Sequence, residues 1–554
     1  MNRRSFLHSN ASIYFTAGLI SVIIFILIYG IAILNPGNTE WLMAQGGDLP
    51  QHYLGWKAYR YGQWHFPPGL TEMLAYPNLT SIIFTDSLPL FALPCKILSP
   101  ILPNNFQYFG LWGLLCFMLQ AVFGAKIAHH HTANAAICII SALLFLFAPI
   151  MLFRMFGHSA LAGHWLILFM IEPLFVFNET TDMKKMIRHV FWAGFLSANV
   201  HVFFILINGI ILLGLCLKDL LEQKKIIRSV EMLAVYLSTS LAAIGILGGF
   251  HSNMKSTAEG LGTFSANLNT LINPQGWSIL FRDLPLYKEG QIEGFGWIGA
   301  GVFFLLILSG VMILTHFRVI KEDRNSFAAL FFIAVLSFIF SLSPVITLGK
   351  EVLFAVKLPG WLYKAWSVFR SSGRVIWIVN YTILLLCISI QCRTLRSNLV
   401  IPILTAMLLL QIFDMNHVLI NIHKRFAENQ TYESPHMNNE FWIEAVNKKI
   451  KHIVYKSDFT LQDNPIRYAI TDWALDNKIT LNDFYFARQI VIDERTINNI
   501  DNLPNDNTIT IYKTDDTDRC LIQKLNCYEV NGLIIGSREE MSGHENISER
   551  NKSE

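Results

Sequence analysis

Charged side chains are scarce in this chain, so the few that gather between apolar runs mark where chemistry is possible. The segment GGDLPQHYLGWKAYRYGQWHFPPG, Gly46 to Gly69, carries Asp48 behind two glycines, with His52, Trp56, Tyr59 and Arg60 following at helical spacing. Asp48 has two readings there: an N-cap for the helix that carries His52 and Trp56, or a catalytic carboxylate at the mouth of a helical bundle. FRMFGHSALAGHW, 153–165, places Arg154, His158 and His164 around a turn. They are either an arginine snorkelling to an interface with two helix-capping histidines, or a polar cluster facing the same cavity as Asp48. The six-residue histidine spacing matches no metal-ligand pattern, so no metal is assigned to it. In FRSSGR, 369–374, Arg370 and Arg374 flank small residues at a predicted helix N-terminus, an arrangement suited to phosphate through guanidinium contacts and free backbone N–H groups. The alternative is an arginine anchor at lipid headgroups; the phosphate reading is preferred. His129, His130 and His131 read as a solvated connector, and Glu172 as an acid near the inner end of a span.

The elements that must position these residues follow from composition. Of 554 residues 53% are hydrophobic and only 15% charged, where an ordinary soluble domain carries about 25% charge. That argues against a soluble enzyme, and a net charge of +3 with no basic, aromatic-interleaved patch gives no indication of nucleic-acid binding. Apolar stretches predict eleven spans, at 13–34, 106–128, 135–152, 161–177, 188–200, 202–217, 230–250, 297–316, 327–345, 375–392 and 398–415. Asn199 and His201 divide the stretch 188–217 into two helices meeting at a polar turn. The basic connectors at Arg3/Arg4, Lys126, Lys184/Lys185/Arg188, Lys218/Lys224/Lys225/Arg228, Arg318/Lys321/Arg324 and Arg393/Arg396 then share one face, the cytoplasmic one. This holds only if 82–102, interrupted by Asp86, Lys96, Pro89, Pro94 and Pro100 and followed by Pro103, does not cross.

The expected organisation is therefore a helical membrane domain, 1–415, with a long first outer loop, 35–105, then an extracytoplasmic α/β domain, 416–537, and a disordered tail, 538–554. The N-terminus lies in the cytoplasm and the C-terminal domain outside the cytoplasmic membrane. Outside, the compartment is oxidising, and Cys520 and Cys527 are expected to pair, although spacing alone cannot supply the required Cα separation.

Taken together, GGDLPQHYLGW at 46–56, FTDSLPLFALP at 84–94, FRMFGHSALAGHW at 153–165 and FRSSGR at 369–374 resemble the membrane glycosyltransferases of the GT-C superfamily. That superfamily includes protein O-mannosyltransferases, oligosaccharyltransferase catalytic subunits and YfhO-type bacterial relatives, and the fuller pattern is similar to a less characterised bacterial family of the same architecture. The resemblance covers roughly residues 13–415. It implies transfer of a sugar from a polyprenyl-phosphate donor to an acceptor glycan, lipid or protein on the outer face. Asp48 would be the general base and Asp86 a second loop acid serving acceptor or metal; His52, Arg60, Arg154, His158, His201, Arg370 and Arg374 would bind substrate. No adjacent pair of acids follows the first span and no DxD stands in the loop, which leaves a divalent cation an open alternative. Two rival classes are a transporter or flippase of lipid-linked glycans and a non-enzymatic cell-envelope assembly protein. The first would bury charges mid-span along a pathway, where this chain offers little beyond Glu172.

Overall fold

The computed structural model describes residues 3–178, 180–251, 260–315, 323–428, 430–432, 434, 437, 439–457, 459–486, 507–541 and 544–548, without the side chains of 3–9. Of the expected basic positions, Arg318 and Lys321 lie outside what is described and Arg3 and Arg4 are described by their backbone alone; residues 549–554 of the tail also lie outside. The chain divides into two compact units. One comprises 1–38, 107–243 and 256–429; the other comprises 39–106, 244–255 and 430–554.

The first unit is helical. Among the described residues, eight helical segments are long and apolar enough to cross a membrane: Asn10–Tyr29, Phe109–His129, Ser159–Val176, Phe203–Gln223, Ile226–Ile246, Arg324–Leu342, Ser372–Thr394 and Ser397–Asp414. Lengths near twenty residues match a hydrocarbon core of about 30 Å, and a helix satisfies its own backbone where no water can. Two shorter apolar helices, Ala135–Leu146 and Ala300–Thr315, and the more polar Met183–Val200 fall at the other three expected spans. The 188–217 stretch is two helices, breaking at His201, whose Nδ1 accepts the Phe203 N–H at 3.0 Å. The expected 135–152 span is not continuous. Its first helix is capped by Asn134, which accepts from the Ala136 and Ile137 N–H groups, and it stops at Leu146; Pro149 opens a separate helix, Pro149–Arg154. Proline lacks the N–H that continuation would need. Two buried polar side chains tie loops to helix ends: Gln411 accepts from the Gly301 N–H at 2.9 Å, and Asp414 accepts from Ile279 and Leu280 N–H at 3.1 and 3.0 Å.

The second unit joins the first long loop to the polar C-terminal region. Its centre is a five-stranded sheet of β1 (His452–Tyr455), β2 (Thr480–Leu481), β3 (Thr508–Lys513), β4 (Asn526–Val530) and β5 (Leu533–Ser537) in the order β2-β1-β3-β5-β4. β1 pairs parallel with β2 and β3, whereas β5 runs antiparallel to β3 and β4. The α/β character expected of this region is thus present, with helices Glu440–Asn447 and Asn464–Asp476 accompanying the strands. The loop is attached through its backbone. Leu481 on β2 donates to Met73 O at 2.9 Å and accepts from the Tyr76 N–H at 2.8 Å, and Tyr76 stacks on His452 with ring centroids 3.9 Å apart. Residues 82–102 form only short pieces, with Pro89–Ile97 the longest helix, so no helix there is long enough to cross a membrane. Cys520 and Cys527 are disulfide-bonded with Cα atoms 6.3 Å apart. Part of the expected disordered tail is ordered: Asn546 and Ser548 accept from the Cys527 N–H, closing over β4.

Candidate functional site

The candidate residues form two clusters, one in each unit. In the second unit the cluster is built on the helix Asp48–Tyr61. Gly47 precedes it at φ 65°, ψ −137°, a conformation open essentially to glycine, and makes no side-chain cap. Asp48 is therefore not the N-cap that one sequence reading made it. It is the first helical residue, half-buried, with its carboxylate at the positive end of the helix dipole. One turn on, His52 is fully buried.

Asp86 is brought to His52 by a tight turn. The 3-10 turn Ile82–Thr85 ends at Asp86 in the left-handed region, φ 53°, and Leu88 repeats that conformation at φ 53°. Two non-glycine residues held there within three positions represent backbone strain of the kind that collects at functional sites. Ser87 Oγ holds the turn by donating to His52 O at 2.8 Å. Gly55 permits the approach: a Cβ there would lie 2.4 Å from Thr85 Cβ and 2.5 Å from Ser87 Oγ. Gly55→Ala should push this turn off the helix and cost about 1–3 kcal/mol of stability, measured as the midpoint shift in denaturation.

The outcome is a buried imidazole and a buried carboxylate whose ligand atoms lie within 4.8 Å of one another. A nitrogen and a carboxylate oxygen suit a borderline cation such as zinc better than magnesium, which prefers all-oxygen ligands. Among the described residues of this unit, these two are placed to hold a divalent ion.

The C-terminal region reaches the same helix. Tyr468 Oη donates to Gly47 O at 3.2 Å, and burial together with the charge of Asp48 raises the Tyr468 phenol above its ordinary value. Lys57 Nζ contacts Asp472 at 2.6 Å and Asp476 at 2.7 Å. Arg60, expected to bind substrate, instead closes the loop: its guanidinium donates to Ser99 Oγ at 2.9 Å, Asn104 O at 2.8 Å and Leu102 O at 3.1 Å. Its donors are committed to carbonyls that no regular structure satisfies, a structural role.

In the first unit the centre is an acid that the sequence reading missed. Glu293 closes the 3-10 turn Glu289–Gly294 and accepts from Arg154 through both oxygens, at 2.9 and 3.3 Å, and from Arg374 Nε at 2.6 Å. Burial alone would raise its pKa, yet the two guanidinium groups hold the carboxyl well below the usual carboxylate range. The aromatic faces of Trp377 and Phe203 lie 5.6 and 5.4 Å from the Arg154 and Arg374 guanidinium carbons. The signal that could have found Glu293 is its setting: it stands with Glu289 among glycines in EGQIEGFGW, just before a span, in a chain with few charges.

This geometry corrects two expectations. Arg154 does not snorkel, and Arg370 and Arg374 are not an equivalent pair: Arg374 is bound to Glu293, whereas Arg370 lies 5.5 Å over the Phe264 ring. His158 and His201 come together, ring centroids 5.5 Å apart. His164 does not join them. It is buried, its Nδ1 is 2.8 Å from Tyr381 Oη, and neither it nor His158 makes a side-chain cap.

These features define a multi-pass membrane protein with ionisable clusters confined to loops and helix ends and a C-terminal α/β region. The chain belongs to the family DUF6311, described as a domain of unknown function, whose model matches residues 18–416; the model of the DUF6311 C-terminal domain matches residues 441–538. A comparison with curated proteins finds no match. Among solved structures the chain is similar to the oligosaccharyltransferase of Archaeoglobus fulgidus in its apo form, at 11% identity and a TM-score of 0.46, covering 93% of this chain and 73% of that one. The same enzyme tethered to an acceptor peptide containing an NVT sequon gives 10% identity and a TM-score of 0.46, covering 96% and 75%. Its complex with zinc and sulfate gives 11% identity and a TM-score of 0.41, covering 84% and 62%.

Proposed function

We propose that the protein is a membrane glycosyltransferase of GT-C type that moves a sugar from a polyprenyl-phosphate donor to a hydroxyl acceptor at the outer face of the cytoplasmic membrane. The observation that carries this reading is the second unit's cluster, where a half-buried acid opens a helix one turn from a buried His52, itself beside the buried, backbone-strained Asp86. In the proposed step the Asp48 carboxylate takes the acceptor's proton as its oxygen attacks the anomeric carbon. The bond from that carbon to phosphate breaks, and polyprenyl phosphate leaves with the electron pair. Phosphate already stabilises that charge, so one base suffices and the configuration inverts. A divalent ion, where His52 and Asp86 hold one, would supply charge stabilisation to acceptor or leaving group.

Donor phosphate is assigned to the first unit. Arg154 and Arg374 share one carboxylate, so the cluster keeps a net positive charge, and Arg370 is a further cation on the same unit. Arg370→Ala should weaken donor binding by roughly 10- to 100-fold, the effect of losing a hydrogen bond between charged groups. Lys at this position should restore only part of it, because an ammonium lacks the two-pronged geometry. Titration of the purified protein with a polyprenyl-phosphate analogue measures this, and an unchanged affinity would return Arg370 to a membrane anchor.

The proposed orientation rests on the basic connectors. A topology reporter fused after Gln223 should read cytoplasmic, and one after Gly290 or at the C-terminus should read outside. A cytoplasmic C-terminus would remove the outer-face assignment.

A further inference from the structure

A cavity of about 460 Å³ opens in the first unit where three helix ends meet. They are the last turn of Phe109–His129, which supplies Lys126, the end of Ser159–Val176, which supplies Glu172, and the start of Met183–Val200, which supplies Lys185, Arg188 and His189. Glu172 is 3.8 Å from both Lys126 Nζ and His130 Nε2. It is the one acid among the described residues lining the cavity, so three permanent cations face a single carboxylate. His189 adds no charge to that balance when neutral; its ring stacks on Phe169 at 4.0 Å and its Nε2 is 3.1 Å from Phe169 O. The wall is amphipathic. Lys185 and Arg188 are exposed at one end, and Trp192, 47% exposed, continues one helical turn further along the same helix.

We propose that this cavity binds the phosphate headgroup of an anionic membrane lipid, with an acyl chain lying along Trp192 and Leu196. The excess positive charge selects an anion, and Arg188 offers the planar donors that phosphate accepts. The ends of apolar helices set the cavity at headgroup depth, where an exposed Trp is at home. Basic pockets between membrane helices are suited to lipid phosphate, since the bilayer supplies the tail's environment at no desolvation cost. None of the donor, acceptor or Asp48 chemistry proposed above enters this site.

The test uses the full-length protein in detergent, delipidated and then presented with phosphatidylcholine alone, with four parts phosphatidylcholine to one part phosphatidylglycerol, or with inorganic phosphate. The readouts are thermal stability and the lipid adducts retained in native mass spectrometry. Phosphatidylglycerol should raise the unfolding temperature and remain as a discrete adduct, and the double variant Lys185→Gln with Arg188→Gln should weaken that binding roughly tenfold or more. Lys184→Gln, one residue away and outside the cavity, should behave as wild type, which separates loss of the site from loss of surface charge. Quenching of Trp192 by brominated phosphatidylglycerol should disappear in the same double variant, a reading that does not depend on stability. Equal binding by wild type and double variant would overturn the proposal. So would an inorganic-phosphate shift as large as the lipid's, which would make this a soluble-anion site.

Discussion

Asp48→Asn is expected to lower sugar transfer by roughly 100- to 10,000-fold, the usual contribution of a positioned general base. The substitution is close to isosteric. Gly47 is the N-cap and Asp48 the first helical residue, so the substitution leaves the N-cap residue itself unchanged. Its structural cost is the favourable placement of a negative charge at a helix N-terminus, about 0.3–1 kcal/mol. Donor binding and protein abundance should stay near wild type, so a loss of turnover reports chemistry and not folding. The neighbouring Tyr468 phenol supplies an internal check: part of its upward displacement comes from the Asp48 charge, so its titration should move down in Asp48→Asn. Asp86→Asn should be milder if that side chain orients the acceptor, and comparable if it holds an ion with His52.

Glu293→Gln is expected to have the largest effect on stability. The carboxylate neutralises two guanidinium groups at once, and removing one partner of a largely buried ion pair costs about 3–5 kcal/mol. Glu293 keeps 20% side-chain exposure, which places the expected loss toward the lower end of that range. The sign with pH follows from its depressed pKa. The stabilisation is fully present above the unfolded carboxyl value, about 4.3, and is lost as pH falls through the much lower folded value. The wild-type protein should therefore outlast Glu293→Gln at neutral pH, with the gap narrowing only under strongly acid conditions. Thermal denaturation across a pH series measures this, and adding Arg154→Gln to Glu293→Gln should recover part of the loss by removing one stranded cation.

Span positions and the α/β character of the C-terminal region were legible because each rests on local periodicity. An apolar run of about twenty residues can satisfy its backbone only as a helix, and strands such as Thr508–Lys513 carry alternating β-branched residues. The break at His201 was legible for the same reason, since Asn199 and His201 interrupt an apolar run. What could not be read was non-local. Nothing in the neighbourhood of Arg60 shows that its donors go to carbonyls some forty residues on, and nothing near Glu293 shows that arginines 139 positions before it and 81 after it converge there. The packing of the first loop with the C-terminal region was hidden likewise, because Leu481 meets Met73 and Tyr76 through backbone groups that carry no residue-type signature. Of the candidate site, the residue types at Asp48, His52 and Asp86 were visible, but the left-handed turn that delivers Asp86 to His52 was not. A left-handed aspartate is uncommon, and only the surrounding contacts determine it.

The most direct measurement places wild type and Asp48→Asn side by side in lipid nanodiscs with a radiolabelled polyprenyl-phosphate sugar and an extract of cell-envelope acceptors, following release of polyprenyl phosphate and labelled product. The proposed mechanism predicts that wild type cleaves the donor and labels an acceptor, while Asp48→Asn binds the donor with similar affinity and leaves it intact. A folded Asp48→Asn protein that transfers sugar at the wild-type rate would contradict it, as would a wild-type protein that binds the donor and never breaks the bond between sugar and phosphate.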